Sequence, residues 1–331
     1  MENVQLIDEN FIESTTNFTE LINHLEKAFA KFSALVPMRH HHDFPNPKAD
    51  TTSTLLLMPA CIPSEEAGVK IVTVNPNNSN YNLPSIHGTY IYLDAHKGTV
   101  KAIMDGKSLT SKRTAAASAL ASKYLSKKDA SSLLMIGTGA LSKNLILAHA
   151  SVRPIKDVYV YGRDIRKAQK ICKSLENESF NMHFVKEITD VISQVDIVSC
   201  ATLSVEYLIH GKDLKKGQHI DLVGSYKKNM READNETMKI SSIFVDTFEG
   251  ATKESGDLII PLEEKVITEK DIKGALRQLC SGEKPGRISD EEITVFKSVG
   301  HALEDLTAAS YFYDKYMSKL ASKLLSENDL H

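Results

Sequence analysis

A chain of 331 residues has room for roughly two domains. With 42% hydrophobic and 25% charged residues it has the make-up of a globular protein, and a net charge of -3 supplies no basic field for nucleic acid. No stretch approaches the ~18 apolar residues of a membrane span. Met1–Asp8 lacks the basic start and apolar run of a secretory leader. Cys61, Cys172, Cys200 and Cys280 are too dispersed for a disulfide framework or a metal site, so reduced thiols and a cytoplasmic location are expected.

Residues 1–115 read as one block. Phe18–Phe32 has helical spacing (Leu21, Ile22, Leu25, Ala28, Phe29), with Thr16 or Asn17 as its N-cap. His40-His41-His42 reads as a solvated loop, because neighbouring side chains diverge and no partner stands at ligand spacing; no metal is expected. Thr54–Pro59, Gly68–Val74 and Gly88–Leu93 read as strands of an antiparallel sheet, separated by Pro, Asn and Gly turns. Lys112–Leu125 is a helix of small residues that suits close packing and a link between domains.

From about residue 130 the pattern alternates strand and helix, which argues for a parallel sheet covered on both faces. The candidate strands are Leu133–Gly137, Asp157–Tyr161, Met182–Val185, Ile197–Cys200, His219–Val223 and Ser242–Val245. A helical stretch from Ile293 to Tyr316 then leads back toward the first block, which would make that domain discontinuous. The expectation is an α/β chain: a parallel-sheet domain over 116–305, and a discontinuous α+β domain built from 1–115 and 306–331.

The most informative segment is Leu133–Ser142. An apolar strand runs into Gly137-Thr138-Gly139-Ala140-Leu141, and helix-friendly residues and a second strand follow. Glycines at such a turn let the backbone approach a pyrophosphate, and the helix start offers free N–H groups to it. Ser142 stands where a third glycine is usual. At the tip of the second strand, where an acid would grip the ribose of NAD, Tyr161-Gly162 is followed by Arg163, Asp164 and Arg166. The arginines favour a 2′-phosphate, hence NADP over NAD, although Asp164 keeps NAD open. In the first block, Arg39, Lys70 (inside an apolar strand), Thr89 and Arg113 (opening the small-residue helix) stand out. Taken alone, each of the cations also suits a solvated surface.

These fragments together resemble the ornithine cyclodeaminase/μ-crystallin family. The likeness rests on Thr54–Ala60, Gly68–Asn75, Met104–Ala117, the Gly137 loop, Val223–Asp234, Lys253–Asp257 and Val295–Ser310, in that order. It implies a homodimer with a Rossmann domain and a separate substrate and dimerisation domain. It also implies that Arg39, Lys70 and Arg113 converge on a substrate, with Lys70 catalytic and Arg113 near the coenzyme too, and that Glu254 approaches the substrate. Ser298, Val299 and Gly300 would line the nicotinamide end, and Thr89, Ala201, Thr202 and Val223 would contact the cofactor. An arginine can hold the carboxylate of a small imino or amino acid bidentately, and a lysine near its nitrogen can relay a proton.

One departure bears on the reaction. Cyclodeaminases of this family carry an aspartate just after the Val-Gly segment that handles the amine. Here the segment is Val223-Gly224-Ser225-Tyr226-Lys227-Lys228, with no carboxylate between Asp221 and Glu232. That pattern resembles the ketimine reductase branch, which reduces Δ1-pyrroline-2-carboxylate and often its six-membered homologue. A cyclodeaminase with bound NAD, an opine- or alanine-type dehydrogenase and a non-catalytic crystallin-like binding protein remain open at this point.

Overall fold

The structure is a computed structural model that describes residues 4–328. Among these, strands and α-helices numbered in chain order begin with β1 (Gln5–Ile7), α1 (Glu9–Thr15), α2 (Phe18–Lys31), β2 (His40–Asn46), β3 (Thr51–Ile62), β4 (Glu66–Val74), β5 (Ile86–Asp94), β6 (Val100–Asp105) and α3 (Gly106–Leu125). Then come β7 (Ser132–Ile136), α4 (Ser142–Val152), β8 (Asp157–Tyr161), α5 (Ile165–Ser174), β9 (Asn181–Val185), β10 (Ile197–Cys200) and β11 (His219–Leu222). The chain ends with α6 (Asn235–Ile240), β12 (Ser242–Val245), α7 (Phe248–Glu254), α8 (Gly256–Glu263), β13 (Ile272–Ala275), α9 (Leu276–Cys280), β14 (Thr294–Lys297) and α10 (Ala302–Asn328). Two compact units result. One takes the chain up to Ala28, Phe32–Arg113 and everything from Ala302; the other takes Thr114–His301 with the short segment Phe29–Lys31.

In the first unit the sheet order is β1-β6-β5-β4-β3-β2, antiparallel except for β1, which runs parallel to β6. The histidine triplet is not a loop. His40, His41 and His42 open the edge strand β2 and pair with Leu57, Leu56 and Leu55 of β3. An exposed edge strand shows no alternation of burial, which is why its sequence gives no strand signal, and Pro45 is tolerated there because an edge has spare N–H groups. Asn17 caps α2 by accepting from Glu20 N at 3.1 Å.

Helix α3 starts at Gly106, six residues earlier than the small-residue run suggests. Asp105 caps it, its Oδ1 accepting from Ser108 N at 2.7 Å. Arg113 therefore lies inside the helix and not at its opening. Gly106 is required by close approach: a Cβ there would stand 2.4 Å from the Gly88 carbonyl carbon and 2.6 Å from Thr89 N.

The second unit is an eight-stranded parallel sheet of order β13-β12-β14-β11-β10-β7-β8-β9. Parallel strands covered on both faces should be apolar throughout, and Leu134, Ile136, Val198, Cys200, Ile220, Leu222, Val245 and Val295 are all buried in one core cluster. The direction of strand addition reverses between β7 and β10, the crevice where ligands of such sheets bind. The expected helix from Ile293 is corrected here. Thr294–Lys297 is a fully buried strand, Gly300 with φ +89° ends the connection, and the helix begins at Ala302. Thr-Val-Phe-Lys is β-branched and aromatic, so burial between β11 and β12 decides its state.

Because the Gly106 contact leaves no room for a methyl group, Gly106→Ala should cost about 1–3 kcal/mol. A thermal midpoint equal to that of the parent chain would show that the approach of α3 to β5 is not tight.

Candidate active site

The first unit buries a cluster of charge. Lys70 on β4 pairs across the ladder with Tyr90 on β5, so the two side chains share the sheet face that α10 covers. Lys70 is 2% exposed and Arg113, from α3, 5%. Both are met by acids in the first turn of α10. Lys70 Nζ donates to Asp305 Oδ1 at 2.8 Å, Arg113 Nη1 donates to Glu304 Oε2 at 2.6 Å, and Arg113 Nε lies 2.8 Å from Asp305 Oδ1. Burial, and then Arg113, bring the Lys70 ammonium down to about 8 against the pull of Asp305. Burial would raise the Asp305 carboxyl, but Arg113 and Lys70 outweigh it and hold it below the usual carboxylate range. Arg39, half-buried just before β2, adds a third positive charge that acts on both Lys70 and Asp305.

The structure thus gathers Arg39, Lys70 and Arg113. It sets Thr89 apart, because that residue neighbours Tyr90 on β5 and so faces the opposite side of the sheet. There Thr89 lines a cavity of about 270 Å³ with His87, Asp105 and Lys107. Tyr90, Glu304 and Asp305 were not singled out by the sequence. The available signal was an acidic pair set between Leu303 and Leu306 on an otherwise apolar helix start. The buried Tyr90 hydroxyl, pushed far up by burial and then by Asp305, lies over Gly68, where a Cβ would come within 2.2 Å of it.

In the second unit the remaining candidates line up along one edge, the carboxyl ends of the parallel strands. The Gly137–Leu141 loop follows β7, Ala201 and Thr202 follow β10, Val223 follows β11, and Ser298–Gly300 follow β14. Gly137 has φ +117°, and a Cβ on it would meet Ala201 O at 2.6 Å. A Cβ on Gly139 would meet nothing within 4 Å, and α4 begins with no side-chain cap. Open ground over a glycine turn and an uncapped helix start fit a pyrophosphate. Ser142, in place of a third glycine, is buried and donates to Gly137 O at 3.0 Å, so it costs the turn nothing.

The Ser298–Gly300 turn is pinned by Asp246, whose Oδ2 accepts from Val299 N and Gly300 N, each at 2.7 Å. After β8, Thr138 lies across Gly162, and Arg163 is exposed. Asp164 is occupied by its own helix: Oδ1 accepts from Arg166 N at 3.0 Å, and Arg166 Nε and Nη2 reach its two oxygens at 3.0 and 3.1 Å. Tyr226 follows β11 and is half-buried, and Glu254, also half-buried, is the last residue of α7.

A discontinuous mixed-sheet unit with a buried lysine–arginine–acid cluster and a Rossmann-type unit with a Gly-x-Gly turn, joined in one chain, define a class of two-domain α/β protein. Within that class the chain belongs to the ornithine cyclodeaminase/mu-crystallin family, whose profile matches residues 3–320. It is 34% identical to a Delta(1)-pyrroline-2-carboxylate reductase of Bacillus cereus, over 95% of this chain and 97% of the relative. The Thermococcus litoralis Delta(1)-pyrroline-2-carboxylate reductase, solved with NADH and L-proline, superposes with a TM-score of 0.89 at 33% identity, covering 96% of this chain and 98% of that one. An archaeal alanine dehydrogenase dimer with bound NAD reaches 0.87 at 28% identity, covering 96% of this chain and 97% of that one.

Asp305 is the anion that makes two buried cations tolerable. Asp305→Asn should therefore cost about 3–5 kcal/mol, read as a lowered denaturant midpoint. A variant as stable as the parent chain would remove Asp305 from that role.

Proposed function

We propose that this chain is an NAD(P)H-dependent reductase of cyclic 2-imino acids. It would take Δ1-pyrroline-2-carboxylate to L-proline, and the six-membered Δ1-piperideine-2-carboxylate to L-pipecolate. The observation that carries the reading is the buried cationic cluster of the first unit. Lys70 and Arg113 are held in place by Glu304 and Asp305, and Arg39 acts on the same group, a setting suited to a substrate carboxylate.

Arg39 and Arg113 hold the substrate carboxylate, Arg113 already oriented by two acids. When bound, a reduced nicotinamide supplies hydride to the imine carbon. Lys70 in its ammonium form keeps the imine nitrogen protonated, so that nitrogen takes up the electron pair of the double bond as hydride arrives. The coenzyme is held by Gly137–Leu141 at the pyrophosphate and Arg163 at the ribose. Ala201, Thr202, Val223 and Ser298–Gly300 serve the nicotinamide end, with Thr89 as a further contact, and Glu254 approaches the substrate. On this reading residues 1–115 and 306–331 serve substrate and dimer formation, and 116–305 the coenzyme. The relatives that reduce pyrroline-2-carboxylate support the substrate, and the NADH and NAD of the solved relatives support the nicotinamide. We assign NADPH preference to Arg163, because Asp164 is engaged by Arg166. A homodimer fits the dimeric alanine dehydrogenase. Free thiols at all four cysteines, and helices none of which is long and apolar enough to cross a membrane among the described residues, suit the cytoplasm.

The test is coenzyme oxidation with the five- and six-membered imines, each nicotinamide in turn, against L-ornithine without added coenzyme and pyruvate with ammonia. Imine-dependent oxidation is expected. Ammonia release from ornithine, or oxidation with pyruvate and ammonia alone, would replace this reading with a lyase or an acyclic dehydrogenase. Lys70→Ala and Arg113→Ala should each lower kcat/KM by more than about 10²-fold; parental kinetics in either would refute the site.

The alkaline limb of the rate carries the sign of Lys70. Its ammonium, lowered from 10.5 to about 8, is present below that pH and lost above it, so turnover should fall as pH rises through about 8. Lys70→Arg should retain activity in part and lose that limb, since a guanidinium does not titrate there. Arg163→Ala should weaken NADPH by about tenfold or more and leave NADH within about twofold. Equal losses would sink the 2′-phosphate assignment.

A further inference from the structure

A second buried ionic cluster lies in the parallel-sheet unit. Lys297, the last residue of β14, places Nζ 3.3 Å from Asp257 Oδ2 and 3.9 Å from Glu232 Oε2, and all three side chains are 0% exposed. Packing between apolar strands does not call for such a group, because burying two acids and a lysine is costly unless geometry repays it. The repayment here is specific. Glu232 Oε1 accepts from Thr202 N at 2.7 Å and Thr202 Oγ1 at 3.0 Å; Oε2 accepts from Gly224 N at 2.8 Å and Ser225 N at 3.2 Å. One carboxylate therefore ties the loop after β10 to the loop after β11.

The surroundings leave that carboxylate one position. Asp257 Oδ1 holds the Glu232 backbone, accepting from Glu232 N at 2.7 Å and Ala233 N at 3.1 Å. Gly224 is wedged against Thr202, where a Cβ would stand 2.0 Å from Thr202 O. Ser225 Oγ donates to Met230 O at 2.6 Å and lies 3.0 Å from Ser255 Oγ.

We infer that Glu232, seated by Lys297 and Asp257, is a positioning residue that clamps the Thr202 and Gly224–Ser225 main chain in the conformation that receives the nicotinamide end of the coenzyme. The inference rests on the coenzyme reading of this sheet edge. Its physical content is pre-organisation: loops fixed beforehand carry no ordering cost at binding. Four charge-assisted hydrogen bonds from three residues make one carboxylate sufficient for the purpose.

The test uses the full-length chain, with NADH and NADPH titrated by nicotinamide fluorescence and amide hydrogen exchange followed at Thr202, Gly224 and Ser225. Glu232→Gln turns one acceptor oxygen into a donor facing backbone N–H groups. Glu232→Asp keeps the charge beside Lys297 and withdraws it by one methylene. Both variants should raise the Kd of the preferred nucleotide by about tenfold or more and lose exchange protection at the three amides before nucleotide is added. If Glu232→Gln does not fold, the aspartate variant decides. A folded aspartate variant that binds within about twofold of the parent overturns the clamp, whether or not its thermal midpoint has fallen, since a purely structural role would lower the midpoint alone. A parent chain that binds neither nucleotide overturns the coenzyme reading and this inference with it. A parent that binds, with variants that bind equally well, overturns the clamp alone.

Discussion

The first unit depends on an acid placed between two buried cations. Lys70 and Arg113 sit on covered surfaces where burying a positive charge without a counter-charge is costly. Asp305 meets both, and it comes from a helix 235 residues along the chain from Lys70. This contact accounts for the discontinuity of the unit. The sheet is built from the N-terminal third, yet the counter-charges that let it carry cations inward are supplied by α10. It also sets the chemistry. A lysine lowered to about 8 is a proton donor near neutral pH, while an aspartate held below the usual range is a poor base.

The second unit answers a different constraint. Its parallel strands must be apolar on both faces, so polar work is confined to the loops at their carboxyl ends. Five of those loops, after β7, β8, β10, β11 and β14, carry the coenzyme candidates, and acids secure three of the connections from within. Glu232 holds the turns after β10 and β11, and Asp246 the turn after β14. Loops would otherwise be the mobile part of such a fold. Here their backbone donors are paired with carboxylates beneath them, and the glycine turn after β7 is left open above.

Much of this was legible in the sequence, for identifiable reasons. Strands β7, β8 and β10 are short apolar runs next to turn residues, and the glycine turn follows a strand as a phosphate loop requires. The four residues of β14, of which only Val295 and Phe296 are apolar, carry no period of their own, and their place between β11 and β12 makes them a strand where the sequence suggests helix. β2 escaped because an edge strand of polar residues is specified by its partner β3. Lys70 and Arg113 were visible as charges in apolar company, but their burial was not, since a strand lysine points inward or outward depending on register. Asp305 and Glu232 give no signal in the sequence for a related reason. An acid in a first helical turn reads as a favourable dipole partner, and an acid in a loop reads as solvated. Each is fully buried because cations or backbone donors from distant segments converge on it.

The choice between reduction and deamination turns on which acids in this fold are available to take up a proton. The segment after β11 has Tyr226 where a cyclodeaminase carries aspartate, and the two acids that flank it are already committed. Asp221 is buried, accepting from Ser199 Oγ at 2.7 Å and lying 3.2 Å from His149 Nε2. Glu232 accepts from four donors on the loops it joins, although burial lifts its carboxyl to about 7 against the pull of Lys297. Asp305 is held ionised by two cations, and protonating it would break both pairs. What the first unit offers instead is an ammonium whose proton is easily released, among guanidinium groups suited to a carboxylate. Such an arrangement delivers a proton to a nitrogen that is gaining electrons, which is what C=N reduction requires.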